Sequence, residues 1–129
     1  QVVSPAKVFE NMANYEAERT YLLKELKNRK IPGVLFFTGD RHISDLNKLE
    51  REGTYPLYDL TVSPMTAGKA DAVKQDYNET LVPGTLVQER AFSKIEVTGP
   101  LKDRTLTITL FNVKGEVLWT KELKSNLLK

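Results

Sequence analysis

Cysteine is absent from this 129-residue chain, and histidine occurs only once, as His42. The absence of cysteine excludes disulfides, thiol catalysis and thiolate metal sites, although it does not select a cellular compartment. The single histidine excludes any site that takes several imidazoles from this chain alone. Imidazole chemistry is therefore confined to one position in the sequence.

Long apolar runs and a strong excess of one charge are also missing. No stretch approaches the ~20 apolar residues that a helix needs to span a bilayer, so no membrane partner is predicted. The 19 lysines and arginines nearly balance 17 aspartates and glutamates, and the net charge of +2 does not predict nucleic-acid binding. The length fits one compact domain. A start at Gln1, without an initiator methionine or a charged leader, is what removal of a tag or of an upstream part would leave.

A helix is predicted between residues 14 and 30. Asn14 suits the N-cap, acidic residues follow in the first turn, and basic residues gather in the last turns, as the helix dipole favours. Apolar side chains recur at helical spacing at Tyr15, Leu22, Leu23 and Leu26. Ile31-Pro32 ends the helix, because the residue before a proline is pushed out of the helical region.

The most apolar segment, Gly33 to Thr38, runs directly into the polar cluster Gly39-Asp40-Arg41-His42. It is apolar without alternation and bounded by glycines, which predicts a central strand buried on both faces. In open α/β sheets, ligand-binding and catalytic groups gather at the carboxyl ends of the strands. Asp40 and His42 are therefore the leading candidates for function.

A second helix is predicted directly after this cluster. Ile43, Leu46 and Leu49 recur at three-residue spacing, which indicates a helix from about residue 41 to residue 51. Asp40 would then lie at its amino end, where unpaired backbone donors favour a carboxylate.

The middle of the chain is predicted to hold one strand and two irregular segments. Residues 55–62 favour a strand, although Asp59 is polar within an otherwise strand-forming run. Residues 63–68 have the composition of a loop, and the polar residues 69–84 predict a surface excursion with at most a short helix.

The end of the chain has a different period. Apolar and polar residues alternate over residues 93–98 and again over residues 105–110, and a turn at residues 112–115 leads into a further apolar strand. The predicted fold class is therefore α/β. A helix–strand–helix layer in residues 1–84 is followed by an antiparallel, hairpin-rich sheet in residues 85–129.

Three stretches and the ending, taken in order, resemble one known family. The helix that contains Tyr15-Glu16-Ala17-Glu18-Arg19 is similar to the helix before that family's last metal motif. The run GVLFFTGDRHISDL, residues 33–46, resembles the motif itself, and TYPLYDLTVSPMTAG, residues 54–68, resembles the next strand and loop. Residues 95–119 are similar to its terminal sheet. The whole resembles the C-terminal part of an alkaline phosphatase D-like metallophosphoesterase, of the calcineurin-like phosphoesterase superfamily.

The resemblance implies a partial metallophosphoesterase sandwich and metal-dependent hydrolysis of a small phosphate ester. In calcineurin-like enzymes the last motif is Gly-His-x-His and binds a dinuclear metal centre, and the alkaline phosphatase D branch resembles this chain in placing Asp first. By this resemblance His42 is a metal ligand, and Asp40 is a second ligand or orients His42. Iron with calcium, or related divalent ions, and a periplasmic or secreted location are also implied.

The same resemblance implies that the chain is a fragment. The family's earlier Asp-x-His, Gly-Asp-x-x-Asp and Gly-Asn-His motifs do not precede residues 39–42. A dinuclear centre needs a bridging carboxylate and several more ligands, so the segment alone is expected to be inactive and to need the missing N-terminal part as its partner. An uncovered sheet would leave an apolar edge and favour self-association. No catalytic residue beyond the metal ligands is assigned.

Three further residues are candidates for substrate binding. Arg41 could meet a phosphate group through paired donors, or it could pair with a nearby carboxylate. Ser63 and Thr66, in the loop after the second strand, could line the pocket, or their hydroxyls could satisfy local backbone groups. An alternative function also stays open, namely a non-catalytic α/β interaction module derived from the same fold.

Overall fold

The computed structural model describes residues 1–69 and 79–129 of this chain. The fold is α/β, with one helix and two three-stranded sheets in the described residues, arranged as a partial sandwich. The elements are α1 (Glu16–Asn28), β1 (Leu35–Thr38), β2 (Asp45–Leu49), β3 (Leu57–Thr61), β4 (Ala91–Thr98), β5 (Thr105–Asn112) and β6 (Val117–Lys124). Short 3₁₀ turns occupy Met12–Asn14 and Ser125–Leu127. Most of the predicted excursion over residues 69–84 lies outside the described residues.

The predicted first helix is confirmed, with a different start. Asn14 belongs to the preceding 3₁₀ turn, and its side-chain Nδ2 donates to the carbonyl of Phe9 instead of the side chain capping the helix. Tyr15 is the N-cap residue, with no side-chain capping bond. Leu26 is buried, and neighbouring leucines of the same stripe pack against the core.

The first sheet has the order β1-β3-β2, so β3 is its central strand. Every residue of β3 is buried, which confirms the strand predicted over residues 55–62. β1 pairs with β3 in parallel register, but the prediction that β1 is buried on both faces is wrong. No described strand pairs with its other side, so β1 is an edge strand and Phe37 is 57% exposed.

The helix predicted from about residue 41 to residue 51 is wrong, because Asp45–Leu49 form β2 and residues 41–42 lie in a loop before it. This strand pairs antiparallel with β3 and is bridged on its other side at Ser44–Val87 and Asn47–Leu81. Pairing on both sides satisfies the backbone of a strand whose polar residues are buried, so the strand is favoured over a helix with one solvated face. Of the apolar residues at three-residue spacing, Leu46 packs into the core and Leu49 packs against it.

The second sheet is the predicted antiparallel hairpin structure, with the order β4-β5-β6. Its inner face buries Ile108, Leu110, Trp119 and Leu123 in the same core as β3. The predicted turn is confirmed, because the side chain of Asn112 accepts hydrogen bonds from the amides of residues 114 and 116.

Both sheets contribute to one hydrophobic core, although β3 ends at Thr61 and β4 begins only at Ala91. No helix among the described residues has the length and apolar character that crossing a bilayer requires.

Candidate functional site

The polar cluster after β1 forms a loop, residues 39–42, which we call the exit loop. Because β1 and β3 are parallel, Thr38 and Thr61 end at the same edge of the sheet, and Asp45 of β2 lies opposite Thr61. The exit loop leaves from this carboxyl edge, as the sequence predicted for a functional site. Within the loop, Asp40 is exposed and His42 is half-buried.

The backbone of the exit loop adopts an uncommon conformation. Asp40 has φ +64° and His42 has φ +56°, so left-handed residues flank Arg41 on both sides. Such a conformation costs a non-glycine residue about 1–2 kcal/mol, and it persists only where surrounding contacts determine it. Contacts from outside the loop must therefore hold this conformation.

Ser63 provides one of these contacts. The amide of His42 donates to Ser63 Oγ over 3.1 Å, the amide of Ser63 donates to Ser44 Oγ, and Ser44 Oγ donates to the carbonyl of Ser63. The buried Ser63 hydroxyl thus accepts a hydrogen bond from the loop backbone. This is the local role that the sequence left open beside the lining of a substrate pocket. Thr66 lies in the exposed part of the following loop.

Arg41 provides the second contact, and its side chain turns away from solvent. Its Nη1 donates to Gln1 Oε1 over 3.1 Å and to Asn11 Oδ1 over 2.9 Å. The guanidinium carbon also lies 5.4 Å from the ring centroid of Phe9, within cation–π range. All three partners belong to residues 1–14, which we call the N-terminal strap.

Two buried carboxyl groups lie beside the exit loop, and sequence reasoning did not assign either of them to the site. Asp59 of β3 accepts hydrogen bonds from the amides of Val2 and Val3 and from Thr38 Oγ1. Asp45 of β2 accepts from Gln1 Nε2 at both oxygens, over 2.8 and 2.9 Å. The lone carboxyl group in the otherwise strand-forming run of β3 was the one signal in the sequence.

Burial raises the pKa of Asp45, and the neighbouring charge of Asp59 acts in the same direction. Hydrogen bonds from Thr61, Gln1 and Asn47 oppose this shift, because they favour the charged carboxylate. Asp45 is only 2% exposed, so water contributes little to its solvation. The hydrogen bonds that its carboxyl group accepts come from the N-terminal strap and from β2 and β3.

The exit loop therefore offers an imidazole and a carboxylate at the sheet edge, which are ligand types suited to divalent metals. Among residues 1–69 and 79–129, no group of three or more His, Asp or Glu residues lies in a metal-binding arrangement. Ser63 and Arg41 act on the loop backbone and the N-terminal strap, respectively, through the hydrogen bonds described above.

No protein-family model matches this chain, and neither does any curated protein or solved structure.

Proposed function

We propose that this chain is the C-terminal part of a metal-dependent phosphatase or phosphodiesterase of the alkaline phosphatase D type. The observation that supports the proposal most directly is the placement of Asp40 and His42. Both lie in a left-handed loop at the shared carboxyl end of two parallel strands, with the His42 amide held by Ser63. A conformation that costs free energy and is held from two sides is typical of functional sites.

In this proposal His42 binds one metal of a dinuclear centre through an imidazole nitrogen. Asp40 binds the same centre or orients His42. Iron with calcium, or related divalent ions, would polarise the phosphoryl group of a small phosphate ester and lower the pKa of a bound water. The proposal includes the periplasmic or secreted location that the family resemblance implies.

The remaining ligands would come from the N-terminal part of the parent enzyme, and the open side of the sandwich supports this. The edge of β2 is covered by bridges to Leu81 and Val87, whereas no described strand pairs with the outer edge of β1. Beside β1 a groove of about 280 Å³ lies between parts of the two sheets, lined mainly by apolar residues that include Phe37 and Val97. An uncovered apolar edge is a site where further strands add.

The test is hydrolysis of a phosphate ester by the full-length parent polypeptide after loading with iron and calcium. We expect His42→Ala to abolish metal-dependent hydrolysis. Arg51→Ala is the matched control, because Arg51 donates to the carbonyl of Tyr55 at the far end of the first sheet. Full activity of the His42→Ala enzyme, or no metal-dependent activity in the wild type, would reject the proposal.

A non-catalytic interaction module is the second candidate function, and the same apolar groove favours it. Phe37 and Val97 are 57% and 59% exposed on facing sheets, an apolar surface of the kind that binds partners. This candidate predicts a stable, monodisperse fold and no metal dependence. The fragment hypothesis predicts self-association of the 129-residue chain and binding of an apolar dye. Light scattering separates the two, and a monomer that also binds no apolar dye counts against the fragment.

A further inference from the structure

We propose that Arg41 is a positioning residue, which fixes the exit loop by anchoring it to the N-terminal strap. Arg41 lies between Asp40 and His42, the two residues with positive φ. An anchored Arg41 side chain therefore restrains the backbone next to both of them. The relevance of Arg41 to metal binding rests on the proposed function. In that function, a loop that is fixed before the metal binds would present Asp40 and His42 as a preorganised pair.

Asn11, which accepts from Arg41, is itself held by hydrogen bonds within the N-terminal strap. Asn11 is fully buried, and its Nδ2 donates to the carbonyl of Ala6 over 3.1 Å and to Gln1 Oε1 over 3.3 Å. Its Oδ1 is thereby oriented to accept from Arg41 Nη1. The guanidinium therefore bonds to a group that the N-terminal strap holds in place.

Gln1 connects this anchor to the sheet. Its Nε2 donates to both oxygens of Asp45 and to Thr61 Oγ1, while its Oε1 accepts from Arg41. The side-chain amide of Gln1 thus lies between the carboxyl group of Asp45 and the guanidinium of Arg41. Its NH₂ group donates to Asp45, and its oxygen accepts from Arg41. Bonds in such a chain polarise one another and strengthen in a low-dielectric interior.

The bonds of Nη1 support a positioning role for Arg41, whereas Nε is buried without a hydrogen-bond partner among the described residues. Nη1 carries two hydrogens, and two amide oxygens accept from it. The guanidinium carbon lies near the ring of Phe9, which occupies one face of the group. A guanidinium held in this way stabilises the loop that contains His42.

The test is amide hydrogen exchange of the metal-free 129-residue chain, measured by NMR. The amide of His42, which donates to Ser63, reports on the loop, and the amide of Leu60 in β3 reports on global opening. In Arg41→Ala we expect His42 to exchange at least about tenfold faster relative to Leu60, which corresponds to about 1.4 kcal/mol. The Hα–Cα coupling of Asp40 should also shift toward its value at negative φ.

Three variants complete the test. Asn11→Ala should produce a change in the same direction, because it removes one of the two oxygens that accept from Arg41. In the double variant Arg41→Ala/Asn11→Ala the two effects should combine to less than their sum in free energy, since they share that bond. Arg41→Lys should exchange at an intermediate rate, and it keeps the test available if Arg41→Ala does not fold. Arg51→Ala is the matched control, since Arg51 stacks 4.8 Å from the ring of Tyr55 and donates to its carbonyl.

The proposal is wrong if Arg41→Ala and Arg41→Lys leave the relative exchange of His42 within twofold of the Arg51→Ala control. It is also wrong if the effects of Arg41→Ala and Asn11→Ala add in full. The measurement is made without metal, so its failure leaves the hydrolase proposal intact. Conversely, an inactive parent enzyme would not change the exchange result.

Discussion

Removal of the Asp59 carboxyl group should cost more stability than any surface substitution in this chain. Asp59 is fully buried in the central strand and accepts from the amide of Val2 over 2.5 Å, the amide of Val3 over 3.2 Å and Thr38 Oγ1 over 2.8 Å. These bonds attach the start of the N-terminal strap and the end of β1 to β3. Asp59→Ala would leave all three donors without this acceptor.

The magnitude follows from the burial of those donors. Each buried donor left without an acceptor costs about 1–3 kcal/mol. Water can reach the half-buried Val2 if the strap loosens, whereas Val3 is fully buried. We therefore expect the free energy of unfolding to fall by about 3–5 kcal/mol, a large part of the 5–15 kcal/mol typical of a domain. Urea denaturation followed by circular dichroism measures this loss.

Asp59→Asn is the informative companion, because it keeps one oxygen for the backbone amides and offers an NH₂ group to Thr38 Oγ1. Its cost should be about 1–2 kcal/mol. Asp103→Ala, at an exposed position, is the control and should stay within about 0.5 kcal/mol of the wild type. A loss below about 1 kcal/mol for Asp59→Ala, or equal losses for the two Asp59 variants, would refute the role of these hydrogen bonds.

Three further predictions test other parts of the fold. Burial raises the folded-state pKa of Asp45 above its unfolded value, so its contribution to stability is greatest below about pH 3.9 and falls as the pH rises through the folded pKa. In urea denaturation from pH 4 to 7, the wild type should therefore lose stability relative to Asp45→Asn. A constant difference between the two proteins would contradict this. Trp119→Phe removes the 2.9 Å bond from Nε1 to the carbonyl of Thr85 and should lower the melting temperature, with a cost of about 1–3 kcal/mol; an unchanged melting temperature would count against a buried bond. Gly99→Ala would place Cβ 2.5 Å from the carbonyl oxygen of Asp103 at φ +85°, so it should cost at least about 1–3 kcal/mol in a urea titration, and a neutral result would contradict the tight turn.

The sequence predicted elements whose signals are local. Helix α1 and the β5–β6 hairpin follow from apolar spacing and turn residues that lie close together in the chain. β2 could not be predicted in this way, because Leu46 and its neighbours fit a helical period and the strand is stabilised by pairing with residues 57–61 and 81–87. β1 was assigned to the centre because its composition suits burial, whereas its position depends on which strands lie beside it.

The candidate site was predicted only in part, for a similar reason. The position of Asp40 and His42 after a parallel strand follows from the local pattern, and the structure also brings Ser63 to the His42 backbone. The link from Arg41 to Gln1 and Asn11 joins residues at least 30 positions apart. No local spacing encodes such a contact, so the inward orientation of this arginine was found only in three dimensions.

We propose that the exit loop binds metal within a larger enzyme, and the most direct test of this proposal is the metal content of the full-length parent polypeptide. Equilibrium dialysis against iron and calcium, followed by elemental analysis, should give two metal ions per wild-type chain, as a dinuclear centre requires. His42→Ala should lose at least one ion or weaken its binding by about 100-fold or more, while Arg51→Ala should bind as the wild type does. Equal metal content and affinity in wild type and His42→Ala would contradict the account.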